Sequence, residues 1–279
     1  MSIRIVTDNC CDLPQETIDR YKIGITHLLV RFKDRVYQPG ELTTAEFYQM
    51  METSPVLPST SQPTVEEMLR VYEEALADGS EVVAIHMSSG ISGTFQGGKV
   101  AQKMLANKRL HVFDSRKASV GLGLMVLEAA RMAEAGNSLE DIEKRLLAMQ
   151  ARLECIFVVG KMECLIKGGR ISKSKGLLAE ALDIKPILRF DDSGYIVPYE
   201  KARGLKAAMR KILGIMEEQG KDLQNQTVGL VHAGSPELVQ TMANSIREKF
   251  ACKEIIIGEI GPVIGAHVGK GTFSVFFER

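Results

Sequence analysis

Hydroxyl side chains and glycines are concentrated in one short segment, residues 88–94, whose sequence is SSGISGT. The segment directly follows an apolar run, residues 82–85, and precedes a stretch with helical spacing. Ligands of open α/β sheets bind outside the carboxyl ends of the strands. A helix that begins there attracts anions through its unpaired N–H groups and partial positive charge. The segment therefore predicts a site for a small oxyanion, although an ordinary capped helix after a Ser/Gly turn has the same composition.

Two more specific motifs nearly match in this region, and each fails at one position. Residues 93–99 have the G-x-x-x-x-G-K spacing of a phosphate-binding loop, but Val100 stands where Ser or Thr must hold magnesium. Ser92, Asp114 and His267 follow the chain order of an α/β-hydrolase triad, but Ser92 is not the serine of a G-x-S-x-G elbow. A stand-alone hydrolase or phosphotransferase that uses Ser92 or Asp114 is therefore kept as the alternative function.

A second polar cluster, residues 59–64, has the sequence STSQPT and lies just before another predicted helix. Thr64 and Glu67 have the spacing of a capping box, in which each side chain bonds the backbone of the other residue. Taken alone, the cluster is better explained by a loop with a capping residue than by a ligand site.

Cations and one histidine complete the candidate residues. Residues 167–175 are basic and contain two adjacent glycines, which suits a phosphate group or an acidic partner as well as an ordinary solvated face. Lys201 and Arg203 form a similar pair. Residues 261–271 are rich in glycine and are predicted to form a loop between two strands. His267 within this loop could bond a carboxylate.

The predicted elements that must position these residues alternate between strand and helix in the first part of the chain. The later part does not keep this alternation. Alternation predicts βα units on a mostly parallel, doubly wound sheet, and we assign residues 1–158 to such an N-terminal α/β domain. A hairpin, two helices and three further strands predict a smaller α+β domain over residues 159–279. The main predicted elements are strands 3–7, 82–85, 110–113, 228–232, 254–260 and 272–278 and helices 64–77, 94–105, 121–135 and 205–218.

Composition narrows the function classes. Lys and Arg total 35 and Asp and Glu total 35, and such neutrality argues against a nucleic-acid binder. No apolar run approaches the roughly 18 residues of a membrane span, and no secretory signal is visible. The five cysteines lack framework spacing, which suits a reducing cytosol. No set of residues has metal-ligand or dinucleotide-binding spacing. We therefore expect a cytoplasmic binding protein without metal, cofactor or stable membrane anchoring.

Several segments together resemble the DegV family across nearly the whole chain, and their order and spacing carry the resemblance. They are TD at 7–8 with DLP at 12–14, TSQP at 60–63, SSGISGT at 88–94, DS at 114–115, KGGRI at 167–171, KP at 185–186 with KAR at 201–203, and GAHVG at 265–269.

The resemblance implies a fatty acid-binding subunit of a bacterial fatty acid kinase. A long-chain fatty acid would lie in a buried apolar tunnel, and its carboxylate would be presented to a separate, ATP-dependent catalytic subunit of the kinase. The product would be an acyl phosphate for phospholipid metabolism, so this chain would not itself be the enzyme.

The resemblance also implies roles for individual residues. Thr60 and Ser92 match the hydroxyls that bond the carboxylate, His267 matches the third member of that network, and Arg170 matches a nearby basic residue. The complete implied ligand-binding set is Thr60, Ser61, Ser92, Gly93, Thr94, Arg170 and His267. The implied partner-facing residues are Arg203 and Lys167.

The sequence departs from the family pattern at two positions. Asn9 stands where Ser is common, and we expect this change to matter little. Lys270 stands where H-x-G-P-G would place Pro, which predicts a looser loop and an added charge beside His267.

Overall fold

Thirteen strands and ten α-helices are present in the computed structural model of the chain, which describes residues 2–171 and 183–279. Part of the predicted basic run, residues 172–175, lies outside these ranges. Among the described residues no helix is both long and apolar enough to cross a membrane. The strands are β1 (Ile3–Asp8), β2 (Gly24–Thr26), β3 (Leu29–Phe32), β4 (Arg35–Tyr37), β5 (Ser59–Ser61), β6 (Glu81–His86), β7 (Leu110–Asp114), β8 (Leu153–Val158), β9 (Ile184–Phe190), β10 (Ile196–Arg203), β11 (Thr227–His232), β12 (Glu254–Glu259) and β13 (Phe273–Glu278). The helices are α1 (Gln15–Tyr21), α2 (Thr44–Thr53), α3 (Val65–Leu76), α4 (Thr94–Leu105), α5 (Val120–Glu134), α6 (Leu139–Arg152), α7 (Met162–Lys167), α8 (Leu205–Gln219), α9 (Pro236–Phe250) and α10 (Pro262–Val268).

The first sheet is parallel, as the alternating pattern predicted. Its strand order is β2-β1-β6-β7, and every neighbouring pair is parallel. Residues 82–86 are buried without a break along β6, because helices cover both faces of such a sheet. The α/β fold class is confirmed, and β6 ends where residues 88–94 begin.

The second sheet is mixed and has the order β10-β9-β8-β13-β11-β12. Strand β8 ends at Val158, where we placed the end of the N-terminal domain, yet it pairs with β13 and β9. A division along the sheets would therefore fall before Leu153. The sequence analysis did not predict β8, whose sequence is LECIFV, and the sequence carries no signal for its antiparallel partners.

A third, three-stranded sheet has the order β4-β3-β5 and is antiparallel. The sequence pattern did not predict it, because its strands are three or four residues long. It matters to function because β5 carries Thr60, and both β5 and helix α2 contact α10.

The glycine-rich segment near the C-terminus is a helix, α10, and not the loop that we predicted. Pro262 occupies its first turn, where the missing N–H costs nothing. Gly265 lets the helix approach α2 closely, since a Cβ there would lie 2.8 Å from both Phe47 and Tyr48. His267 is consequently held on a regular element.

The predicted capping box at the start of α3 is only half present. Thr64 does accept a hydrogen bond from the backbone N–H of Glu67 at 3.2 Å. The Glu67 carboxylate, however, accepts from the backbone N–H of His27 at 2.8 Å and contacts its ring at 2.9 Å. Glu67 thus ties α3 to the chain between β2 and β3, and does not cap its own helix.

Candidate ligand-binding site

A cavity lies at the junction of the three sheets and encloses about 680 Å³, its open end included. Neighbouring strands of the six-stranded sheet form one wall, where Phe157 and Val231 flank Ser274. Most of the lining is apolar, and it includes Leu28, Met87, Ile91, Phe190, Ile260 and Phe276.

Four of the polar side chains that line this cavity come from four different segments. Thr60 comes from β5, Ser92 from the segment after β6, Arg170 from the segment after α7, and His267 from α10. The Thr60 hydroxyl and Nε2 of His267 are 2.8 Å apart. Nε of Arg170 donates to the carbonyl of Ile91, the neighbour of Ser92, at 3.2 Å. We call Thr60, Ser92, Arg170 and His267 the polar cluster.

The electrostatics of the polar cluster favour an anion. Burial, and after it the positive charge of Arg170, lower the pKa of His267 to about 4. The imidazole is therefore neutral at neutral pH. Arg170 donates to carbonyl groups, and none of the ion pairs within residues 2–171 and 183–279 includes it. A cation that has no counter-ion in the described part of the chain, beside hydroxyls and a neutral imidazole, suits a carboxylate.

One ring nitrogen of His267 is unsatisfied. Nδ1 is buried and has no hydrogen-bond partner among the described residues. It faces Gly168, where a Cβ would lie 2.5 Å from Nδ1. Gly168 of the predicted basic segment is thus required, because any side chain there would collide with the imidazole of His267.

Gly93 and Thr94, which we expected to bind the ligand, support Ser92 instead of lining the cavity. The buried Thr94 hydroxyl lies 2.8 Å from the Ser92 hydroxyl and can orient it. The Gln62 carboxamide lies directly against Gly93, so that a side chain at this position would collide with it. Both residues therefore shape the segment that carries Ser92.

Ser61 does not lie in the cavity. It follows Thr60 on β5, and successive side chains of a strand point to opposite faces. Thr60 is half-buried and Ser61 is exposed. The short motif around residues 60–63 did not show which of its hydroxyls faces inward.

The two expected partner-facing residues are exposed and belong to different elements, α7 and β10. Lys167 forms an ion pair with Glu163 at 2.5 Å and lines an outer groove. Arg203 lies at the end of β10, the edge strand of the six-stranded sheet. The outer groove shares Thr60, Arg170 and His267 with the cavity.

The two departures from the family pattern have structural roles. Lys270 forms an ion pair with Glu52 of α2 at 2.9 Å. Because this bond closes the loop onto α2, the prediction of a looser loop beside His267 is not supported. The Asn9 carboxamide bonds both the C=O and the N–H of Leu28, at 3.0 and 2.9 Å. Asn9 therefore fixes a residue of the cavity wall, which is more than we expected of it.

Comparison with known proteins now decides the family. Residues 2–279 match the family model described as "Uncharacterised protein, DegV family". The chain belongs to the DegV family. A DegV domain-containing protein from Caldanaerobacter subterraneus subsp. tengcongensis is 33% identical over 278 residues, which cover 99% of both chains. A DegV family protein from Thermus thermophilus, described as binding fatty acid, has a TM-score of 0.93 at 30% identity, with 100% of both chains covered. DegV from Bacillus subtilis, described as a fatty acid binding protein, has a TM-score of 0.90 at 32% identity over 100% of both chains.

The three residues of the alternative hydrolase do not form a catalytic triad in the described part of this DegV chain. Oδ1 of Asp114 accepts from the backbone N–H groups of Ser89 and Arg116 at 3.1 and 3.0 Å. Ser92 bonds Thr94, and His267 bonds Thr60. Within the described ranges no hydrogen bond joins Ser92, Asp114 and His267, so that Ser92 lacks the base that a nucleophilic serine requires.

The apolar lining residues were missed by the sequence analysis. Phe157 and Cys155 on β8, and Ser274 and Phe276 on β13, alternate with the period of two that marks one face of a strand. That period could have grouped them on common faces. It could not have shown that this face borders a cavity, because the opposite face of both strands is equally apolar.

Proposed function

We propose that this chain binds a long-chain fatty acid, with the acyl chain in the cavity and the carboxylate at the polar cluster. The observation that carries the proposal is a largely apolar cavity in which a neutral imidazole and hydroxyls converge with a guanidinium that has no ion-pair partner among the described residues. Relatives from Thermus thermophilus and Bacillus subtilis, described as binding fatty acid, support it.

The acyl chain and the carboxylate contribute different parts of the binding free energy. Burial of about ten CH₂ groups gains roughly 8 kcal/mol at about 0.8 kcal/mol each, which offsets the several kcal/mol that association costs. Since this term is non-directional, the polar cluster is needed to fix which end of the ligand lies at the surface.

The Thr60–His267 contact suggests how the hydroxyl is oriented. A proton on Nε2 of His267 would be donated to the Thr60 oxygen, which lies 2.8 Å away. The Thr60 hydroxyl is then free to donate its own proton to a ligand oxygen, as a carboxylate requires. Ser92 and Arg170 would supply further donors to the same group.

We further propose that the carboxylate is presented to a separate, ATP-dependent kinase in the cytoplasm. In that reaction a carboxylate oxygen would bond the γ-phosphorus of ATP, the bond to the β-phosphate oxygen would break, and an acyl phosphate and ADP would form. Thr60, Arg170 and His267 border both the cavity and the outer groove, so a carboxylate at this position would be reachable from outside. Lys167 on the groove and Arg203 on β10 remain the proposed partner contacts.

Native mass spectrometry followed by lipid extraction tests the proposal. The protein is stripped of lipid, offered a panel of fatty acids and compared with Ser92→Ala and with Ser89→Ala, a control in the same segment whose side chain does not line the cavity. One fatty acid per wild-type chain, retained in Ser89→Ala and diminished in Ser92→Ala, is the expected result. A wild-type chain that stays empty with every fatty acid would contradict it.

A further inference from the structure

Two residues with left-handed backbone conformations touch each other beside the cavity. Asp12 has a φ of 46°, and Ser119 has a φ of 55° with a ψ of −145°. A non-glycine residue in such a region costs about 1–3 kcal/mol and persists only where its surroundings hold it. The Ser119 hydroxyl donates to Oδ2 of Asp12 at 2.5 Å. Ser119 also lines the cavity and directly precedes α5.

The same carboxylate holds the start of α10. Oδ1 of Asp12 accepts from the backbone N–H of Gly261, the residue before the helix, at 3.0 Å. The carbonyl of Asp12 lies so close to Gly258 of β12 that no side chain fits there. On the other side, the hydroxyl of Tyr48 donates to the carbonyl of Ile260 at 2.9 Å. The turn from β12 into α10 is therefore held between Asp12 and Tyr48.

Helix α10 depends on these anchors. It has seven residues, a length of about 10 Å, and helices this short are not stable by themselves. Val263 and Ile264 in its first turn line the cavity, and His267 lies in its last turn. A shift at the start of the helix would therefore be carried to the imidazole.

We propose that Asp12 is a positioning residue for ligand binding, which fixes the start of α10 against the cavity wall at Ser119 and so sets where His267 stands relative to Thr60. This inference rests on the proposed binding of a carboxylate at the polar cluster. Asp12 does not line the cavity itself, so it acts on the ligand through His267 and Ser119.

Because Asp12 can change its charge, its role predicts that ligand affinity depends on pH, which a purely structural residue would not cause. The pKa of Asp12 is raised to about 7, mainly by burial and against the hydrogen bonds from Ser119 and Gly261, which lower it. The facing groups are Asp8 and Glu259, whose charges contribute to this rise in the pKa, and Tyr48, Cys10 and Cys11. The ionised carboxylate accepts both hydrogen bonds, whereas protonation removes acceptor capacity. Ligand affinity should therefore fall as the pH is lowered through about 7.

Asp12→Asn is the variant of choice, because Asn tolerates the left-handed backbone and replaces charge-assisted bonds with weaker neutral ones. Thr227→Val is the matched control. It removes a hydrogen bond of 2.8 Å to Glu254 at the opposite end of β12. Affinities for hexadecanoic acid and hexadecanol, which lacks the carboxylate, are measured on delipidated protein across the pH range around 7.

The expected result for Asp12→Asn is an affinity for the acid that is about tenfold weaker, with little change for the alcohol and without the pH dependence seen in the wild type. Thr227→Val should keep the wild-type preference and pH profile. Equal losses for both ligands in Asp12→Asn, or an unchanged acid preference, would overturn the inference. A wild-type chain with no preference for the acid would instead refute the proposed function.

If Asp12→Asn does not fold, Ser119→Gly makes the test. Glycine adopts the backbone conformation of Ser119 without strain, so that the side chain is lost, and with it the hydroxyl donated to Asp12, while the backbone is kept. A selective loss of acid affinity in Ser119→Gly supports the inference. A variant that binds acid and alcohol as the wild type does would overturn it.

Discussion

Acidification should destabilise the folded protein through His267. Its pKa falls from 6.5 to about 4 on folding, mainly because the imidazole is buried. The unfolded chain therefore binds a proton in a pH range where the folded chain does not, and stability rises with pH across this range. The stability that the neutral His267 contributes to the folded state is fully present above about pH 6.5 and is lost as the pH falls toward 4.

The size of the effect follows from the two pKa values. The full difference corresponds to roughly 3 kcal/mol at 1.36 kcal/mol per pH unit, and about 2 kcal/mol of it should be lost between pH 7 and pH 5. Asp12, whose pKa is raised to about 7, acts in the opposite direction, since its protonation favours the folded state. If the wild type is compared with a variant that also contains Asp12, the effect of Asp12 on the pH dependence cancels.

Urea unfolding of the wild type and of His267→Gln at pH 7 and pH 5 measures the effect. Gln has no titrating group, and its amide can still bond the Thr60 hydroxyl. We expect the wild type to lose about 2 kcal/mol more than the variant on acidification. A bound fatty acid should reduce the difference, because its carboxylate favours the charged imidazole. Identical pH dependence in the two proteins would refute the neutral, buried imidazole on which the site depends.

Three further substitutions test other parts of the structure. Arg170→Gln should weaken binding of a long-chain fatty acid by about ten- to a hundredfold, since a hydrogen bond to a charged group is worth roughly 1.5–3 kcal/mol; titration calorimetry measures this, and an unchanged affinity would place the carboxylate elsewhere. Ser274→Phe should fill part of the cavity wall and shift the preference toward shorter acyl chains in a native mass spectrometry competition; an unchanged preference would mean that the acyl chain does not reach this wall. Lys270→Ala should cost less than about 1 kcal/mol of unfolding free energy, because its ion pair with Glu52 is exposed at the surface; a loss of several kcal/mol in urea unfolding would contradict that estimate.

The regular periodicity of the sequence made the two elements that flank Ser92 predictable. The predicted helix over residues 94–105 coincides with α4, and the apolar run at 82–85 lies within β6. These assignments placed Ser92 between a buried strand and a helix. Local sequence is sufficient for such an arrangement, because strand, turn and helix signals follow one another within a few residues.

Contacts distant in sequence could not be predicted in the same way. Thr60 and His267 are 207 positions apart and meet only because the short β5 and α10 pack together. The density of glycine around His267 indicated a loop, whereas in the fold Gly265 serves the close approach of α10 to α2. Only the family resemblance brought these two residues together before the structure did.

The orientation of the ligand is the central claim, and NMR of labelled hexadecanoic acid tests it most directly. The acid is labelled with carbon-13 either at the carboxyl carbon or at the terminal methyl carbon, and is bound to the delipidated wild type, Ser92→Ala and Arg170→Gln. We predict that both substitutions shift the carboxyl resonance and leave the methyl resonance in place. A methyl resonance that moves while the carboxyl resonance stays would mean that the chain lies in the opposite direction, and would contradict carboxylate binding at the polar cluster.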